Sequence, residues 1–218
     1  KYTKILDVGC GTGQFIYELY DAGFKNALGI DPYLERDIEH VNGSKVYKKG
    51  FFEENGKWNV IIFNHVYEHT ETPLEILKKA TQLLEPNGNL IIRIPNVDSY
   101  AFRKYRSHWF GIHAPVHYFL PSINGMKLLV DQAGLQIKKI RGENLLQFWA
   151  FSEAYRLGIW DYHPLGLRTF LENNKLKEFG KKPALFCKKD ISYWKSLNKH
   201  ILRYPELCDW LVYYIQPK

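Results

Sequence analysis

Asp7, Gly9, Gly11 and Gly13, close to the start of the chain, are spaced to hold a small polar ligand on bare backbone. Glycines let a chain turn tightly and come close to a ligand. A helix that begins just after them offers free N–H groups to a polar or negative group. The spacing then sorts the ligands that such a turn serves. A dinucleotide site wants Gly-x-Gly-x-x-Gly, and Gln14 stands where the third glycine is needed. A phosphate loop ends in Gly-Lys-Ser/Thr, and this turn has no lysine. The spacing Gly9-x-Gly11-x-Gly13, preceded by Asp7, fits a nucleoside without a pyrophosphate. Asp31 follows Gly13 by 18 residues, close to the ~20 at which an acid accepts both hydroxyls of a ribose. Its charge disfavours a 2′-phosphate. Taken singly, the turn also reads as mere packing and the aspartate as a turn former. Together they read as a nucleoside site.

Four histidines are placed to handle a proton near neutral pH. His65 and His69 follow the apolar run WNVIIFN, and His113 and His117 lie in FGIHAPVHYFLPS. Taking a proton from a hydroxyl or amine calls for a general base. His117 is the first candidate for that catalytic role and His69 the second, although each also fits a structural or cofactor-positioning part. Asn96, Tyr100, Trp109, His113 and Tyr118 are candidates for an acceptor pocket, or for a packed aromatic layer under a loop. Arg93, Arg103, Lys104 and Arg106 are candidates to meet a phosphate or carboxylate. With no Cys-x-x-Cys pair, His/Cys cluster or magnesium-type acidic trio apparent, no metal is expected.

The elements around these residues alternate in the manner of a parallel sheet with crossover helices. Lys4–Gly9 reads as a buried strand, Gln14–Ala22 as a helix and Ala27–Asp31 as a second strand. Lys45–Lys49 is a weaker third strand and Trp58–Asn64 a strong fourth. Thr72-Pro73-Leu74-Glu75 has a helix-starting pattern, with a threonine cap, a proline at the first helical position and a glutamate three on from the cap. That helix is expected to run to Leu84. Glu85–Gly88 reads as a turn, Asn89–Ile94 as a fifth strand and Pro95–Leu120 as irregular. Ser122 is expected to cap a helix ending before Gly134, and Leu135–Ile140 to form a sixth strand. Beyond it, Phe148–Leu157 and Leu167–Phe179 look helical and Pro183–Lys188 reads as a closing strand. Ile191–Leu202 and Glu206–Ile215 look like a terminal helical pair.

The run ILDVGCGTG followed by ALGIDP resembles the class I S-adenosylmethionine-dependent methyltransferases. The wider pattern NVIIFNHVYEHTETP…LLEPNGNLIIRIPN…H…F…AGL resembles the branch that includes ubiquinone-type O-methyltransferases and many bacterial small-molecule enzymes. The resemblance spans roughly Tyr2 to Ile140. It implies an α/β, Rossmann-like class I methyltransferase fold, with a mostly parallel seven-stranded sheet and helices on both faces. The methyltransferase domain is expected over residues 1–189, with a helical extension over 190–218. S-adenosylmethionine would be the cofactor and S-adenosylhomocysteine its product. By the same resemblance Asp7, Gly9, Cys10, Gly11 and Gly13 would line the methionine end of the cofactor and Asp31 would hold the ribose. Pro32 and Tyr33 would lie against adenosine, and Phe51, Phe52 and Glu53 near adenine, where the family often has an aspartate that this chain lacks. Asn64, His65 and Val66 would stand beside the sulfonium.

Methyl transfer to a small-molecule hydroxyl is the leading expectation. A net charge of +7 favours an anionic acceptor such as a phosphorylated or nucleotide-linked glycan precursor, and also admits a nucleic acid. Enzymes that methylate base amino groups usually carry Asn/Asp-Pro-Pro-Tyr after the fourth strand, and here the residues are Asn64-His65-Val66-Tyr67, which argues against that rival. A non-catalytic cofactor-binding scaffold is the other rival. Composition, at 45% hydrophobic and 24% charged, excludes disorder and low complexity. Three scattered cysteines point to a reducing compartment, and with no signal peptide or membrane span in view the expectation is cytoplasmic. Lys1 in place of a start methionine predicts a preceding segment. Tyr193–Tyr214 carries aromatic residues at helical spacing, for packing on the core or a homodimer partner or, less simply, for touching a lipid surface.

Overall fold

The computed structural model describes residues 2–144, 146–156 and 188–218. Its strands are β1 (Ile5–Val8), β2 (Ala27–Ile30), β3 (Ile38–Glu39), β4 (Lys45–Tyr47), β5 (Trp58–Asn64), β6 (Leu84–Pro95), β7 (Leu135–Glu143) and β8 (Trp210–Pro217). The helices are α1 (Gln14–Asp21), α2 (Pro73–Leu83), α3 (Tyr100–Tyr105), α4 (Ile123–Gln132), α5 (Leu146–Arg156) and α6 (Lys188–Ile201). The strands form one sheet in the order β3-β4-β2-β1-β5-β6-β8-β7. From β4 to β6 every pairing is parallel, while β8 is antiparallel to both its neighbours and β3 pairs antiparallel at the edge. The sheet is therefore mostly parallel, with eight strands rather than seven.

Burial on both sides explains why its central strands are apolar runs without alternation. In β1, Leu6 and Val8 face the larger core with Ile61, Phe63, Leu90 and Ile92, which α2 and α4 cover. Ile5 faces the other side and packs with Ile16 of α1 and Ala27. Each fully buried Leu, Ile or Phe of this kind contributes about 1.5–3 kcal/mol. A satellite core of Ala101, Tyr105, Trp109, Trp149, Phe151, Ile201 and Cys208 gathers α3, α5 and the end of α6.

The helix ends bear out one expected cap and not the other. Ser122 accepts from the Gly125 N–H at 3.1 Å, whereas no side chain caps α2 at Thr72. Glu85–Gly88, read as a turn, lies within β6. Trp58 pairs with Leu84 and Val60 with Asn89, so the extra residues are taken up as a bulge.

The largest correction concerns the C-terminus. Glu206–Ile215 is not a helix. Pro205–Leu207 is a single 3-10 turn, and Trp210–Pro217 is the strand between β6 and β7. Leu207, Trp210, Leu211 and Tyr214 happen to recur near helical spacing, but the run WLVYYI is aromatic and β-branched. As an internal strand it is buried on both faces, so no alternation marks it. Trp210, Leu211, Val212 and Tyr213 are all buried, which leaves this segment no apolar face for lipid. The helix expected over Leu167–Phe179 and the strand expected over Pro183–Lys188 lie outside the described residues, apart from Lys188, which begins α6. Among the described residues, no helix is long and apolar enough to cross a membrane.

Candidate active site

The glycine turn leaves the carboxyl end of β1 and is tied to β2, because Gly9 and Cys10 both donate to Ile30 O, at 2.8 and 3.3 Å. Gly9, Gly11 and Gly13 all adopt positive φ, at 67°, 55° and 83°, where a side chain is strained. A Cβ on Gly9 would stand 2.5 Å from Val66 Cγ2, and one on Gly13 2.3 Å from Val46 Cγ2. At Gly11 a Cβ would meet nothing within 4 Å. Gly9 and Gly13 thus let the turn pack, while Gly11 faces open space. Gly13 ends the turn as the N-cap of α1 with no side-chain cap, so the first-turn N–H groups have none of their usual side-chain partners.

Two carboxylates flank the turn. Asp31 accepts the Gly11 N–H on Oδ2 and the Tyr33 N–H on Oδ1, both at 2.9 Å. Asp7 is 4% exposed, and burial pushes its carboxyl up to about 7. Cys10 donates to Gly11 O and sits over Gly29, where a Cβ would meet its sulfur at 2.4 Å. Burial, aided by the charges of Asp7 and Asp31, pushes this thiol up to about 12, so it packs and does not react. Pro32 and Tyr33 are exposed beyond β2. Phe51 is buried against Phe63, centroids 5.0 Å apart, so of the aromatic pair only Phe52, 54% exposed, is open to a ligand.

The carboxyl end of β5 carries the other group. Asn64 accepts from Arg93 Nη1 at 3.3 Å. Arg93 is ion-paired to Glu143 at 2.9 Å, which engages it away from any acceptor anion. His65 takes the left-handed conformation (φ 59°), a strain of the kind found at functional sites. Its ring meets Trp210 edge-on at 4.4 Å, and its Nδ1 lies 3.6 Å from Glu68 Oε1. Glu68, wholly buried, accepts the Tyr118 and Phe119 N–H groups on its backbone oxygen at 2.9 and 3.1 Å. Those bonds dock the loop that bears His113 and His117 onto the loop that bears His69.

His69 and His117 consequently face each other, ring centroids 4.8 Å apart. His69 Nδ1 lies 2.9 Å from Val116 O and His117 Nδ1 2.8 Å from Gly111 O. A carbonyl only accepts, so each Nδ1 carries the proton and the neutral ring keeps a lone pair on Nε2. Burial is the main influence on His117 and lowers its affinity for a second proton. His113 packs edge-on to His117 at 5.1 Å and so supports the pair.

The remaining pocket candidates divide. Asn96 is buried and donates to Glu206 O and Cys208 O at 3.0 and 2.8 Å, clamping the C-terminal strand. Trp109 belongs to the satellite core, and Tyr100 packs on Trp149. Tyr118, at 66% exposure, is open, as are Arg103, Lys104 and Arg106. Two features escaped the sequence reading. Glu68 joins the paired histidines, and the spacing His65-x-x-Glu68-His69 was its only signal. Asp209 is buried, takes a hydrogen bond from Trp149 Nε1, and is pushed by burial up to about 7. Surface cavities of about 430 Å³ lie elsewhere, one of them beside Lys4, Lys25, Ala27 and Trp58 at the opposite ends of the strands.

A family model described as a methyltransferase domain matches residues 2–140. A ubiquinone biosynthesis O-methyltransferase of Rickettsia canadensis is 31% identical over 157 residues, covering 64% of this chain and 65% of that protein. A tRNA U34 carboxymethyltransferase of Aeromonas hydrophila is 26% identical over 161 residues, covering 65% of this chain and 47% of that protein. The chain thus spans about half the length of this latter relative. The structure of an O-methyltransferase from a trans-AT polyketide synthase of Brevibacillus brevis, solved with S-adenosylhomocysteine, aligns over 100% of this chain and 67% of that one, at a TM-score of 0.55 and 12% identity. With more than half of its length matched by that family model and the sheet order to go with it, the chain belongs to the class I S-adenosylmethionine-dependent methyltransferase family.

Proposed function

We propose that this chain methylates a hydroxyl on a small-molecule acceptor. The residues fit the cofactor by an observation independent of family. The turn is open in front of Gly11, and two acids flank it where a positively charged nucleoside would lie. Asp7, Gly9, Cys10, Gly11 and Gly13 would hold the amino-acid end, Asp31 the ribose, and Pro32, Tyr33 and Phe52 the adenosine side. Phe51 supports that wall from the core. Asn64, His65 and Val66 would border the reactive centre. When bound, S-adenosylmethionine supplies a methyl group already activated on a sulfonium. The protein then has to align the acceptor, exclude water and take away a proton.

The observation that carries the hydroxyl reading is the pair His69 and His117, with Nδ1 of each tied to a carbonyl and Nε2 left as the basic atom. The pair connects to the cofactor turn through Val66, which packs on Gly9. A hydroxyl must lose its proton as its oxygen bonds to the methyl carbon, and a nearby basic site serves that need. His117 takes the proton in this reading, and His69 supports it. The net charge of +7 favours an anionic acceptor such as a phosphorylated precursor.

One observation favours a second reading. The relative from Aeromonas hydrophila acts, by its name, on tRNA, and the positive charge suits that acceptor also. Radiolabelled methyl donor, offered with a panel of hydroxylated small molecules and separately with tRNA, decides between them. Label on an acceptor oxygen, with one S-adenosylhomocysteine formed per methyl, supports the first reading. Label on tRNA alone replaces it with the second, and no label with either leaves a cofactor-binding scaffold.

A further inference from the structure

The Glu68 side chain is 0% exposed, yet neither of its oxygens has a hydrogen-bond partner. A buried ionised carboxylate is costly unless something positive compensates it. The group nearest to doing so is His65, whose Nδ1 lies 3.6 Å from Oε1, too far for a hydrogen bond. The carboxylate instead shares its surroundings with His69 and His117, and one ligand atom from each of the three lies within 4.8 Å of the others. Ligand atoms around a tetrahedral zinc ion stand ~3.3 Å apart, given bonds of ~2.0–2.1 Å. Binding an ion would draw the three ligand atoms together from that spread.

Both imidazoles are already oriented as metal ligands are. A ligating histidine typically donates its other ring N–H to a carbonyl or carboxylate, which fixes the tautomer and the ring plane. Here Val116 O and Gly111 O receive those bonds. We propose that Glu68, Nε2 of His69 and Nε2 of His117 form a site for one divalent first-row transition ion, zinc being the simplest occupant. Two nitrogens and a carboxylate oxygen suit such an ion better than magnesium, which prefers oxygen. Three protein ligands leave a position open, as catalytic zinc sites do. This replaces the metal-free expectation. That expectation rested on the lack of a Cys-x-x-Cys pair, a His/Cys cluster and an acidic trio, whereas these ligands are a Glu and two His on two loops joined by the Glu68 backbone.

The role given to the ion rests on the proposed hydroxyl methylation, although the site itself does not. In that role the open position takes the acceptor oxygen and the ion makes its hydroxyl more acidic. The proton leaves to His65 or to water. The oxygen lone pair forms the new bond to carbon, the electrons of the carbon–sulfur bond pass to sulfur, and the sulfonium becomes a neutral thioether. With the ion bound, the Nε2 lone pairs of His69 and His117 are ligands, so His117 is no longer the base; direct proton transfer to His117 belongs to the metal-free chain alone.

The test is metal binding by the whole chain, stripped with chelator and titrated calorimetrically with zinc chloride. A parallel cobalt titration is followed by visible absorption. One equivalent is expected, with the intense cobalt bands of a four- or five-coordinate site. Glu68→Gln and His117→Ala should each weaken binding at least 100-fold, while the surface variant His200→Ala should bind as wild type does. A rise in melting temperature with S-adenosylhomocysteine reports that each variant is folded. Failure of the unmodified chain to bind one equivalent overturns the site whatever the variants do, and so does undiminished binding by both folded variants. Stoichiometric zinc without methyl transfer to any hydroxyl refutes the acceptor reading and leaves the site standing.

Discussion

The backbone N–H of Gly11 donates to Oδ2 of Asp31 at 2.9 Å, so the middle of the glycine turn hangs from the residue that follows β2. Asp31 in turn receives the Tyr33 N–H on Oδ1. A carboxylate has about four acceptor positions, and two backbone bonds leave room for the two hydroxyls of a ribose. The same acid shapes the turn and, in the proposed reading, holds the ribose.

Asp31→Ala should therefore damage two things. Calorimetric affinity for S-adenosylhomocysteine should fall at least 100-fold. Stability should drop by about 1–3 kcal/mol, because the Gly11 and Tyr33 N–H groups lose their acceptor. Unchanged affinity would remove Asp31 from the ribose role, and unchanged stability would mean that the turn holds without it.

Gly9 and Gly11 should respond differently to the same added methyl group. Alanine at position 9 puts Cβ 2.5 Å from Val66 Cγ2 at φ 67°, so the loss of stability should exceed the ~1–2 kcal/mol that a left-handed residue costs. Alanine at position 11 meets no neighbour within 4 Å and should cost only that backbone penalty, while projecting into the cofactor space. Denaturant unfolding and ligand titration of the two variants should show Gly9→Ala the less stable and Gly11→Ala the weaker binder relative to its stability. Equal ratios would mean that Gly11 does not face the ligand.

What the sequence disclosed follows from how local each signal is. The glycine turn, its acid and α1 are consecutive, and their chemistry is set by residue type, so Asp7 to Asp31 was legible as a unit. Trp58–Asn64 was read to the residue because its apolar run is bounded by polar ones. β8 was not, because a strand buried on both faces offers no period of two and its aromatic spacing imitates a helix. Asn96 and Trp109 looked like pocket residues because type and position say nothing of which core a side chain enters. The Glu68–His69–His117 cluster depends on two loops meeting through the Glu68 carbonyl, and no spacing within one loop encodes that meeting.

His117→Ala should separate chemistry from cofactor binding. The ring stands in the loop docked on Glu68 and not in the glycine turn, so affinity for S-adenosylhomocysteine should stay within about threefold. Turnover should fall by ~10²–10⁴, the usual contribution of a positioned proton-transfer group. Single-turnover methyl transfer at saturating donor is the measurement, and full activity would exclude His117 from the reaction by either route.

Asp209 should make the fold less stable as pH rises. Its carboxyl is buried, and burial raises it from 3.8 to about 7. Between those values the folded chain holds a proton that the unfolded chain releases, so unfolding becomes easier as pH climbs through that window. In Asp209→Asn the amide stays neutral and its oxygen can still accept from Trp149 Nε1. Asp7, raised by burial to about 7 as well, is untouched, so the difference between the two proteins isolates Asp209. Melting curves at pH 5 and pH 8 should show a smaller loss of Tm in the variant than in the wild type. Parallel losses would mean that Asp209 is ionised in the folded chain at both pH values, and that the Trp149 N–H with its surroundings is enough to hold the charge inside.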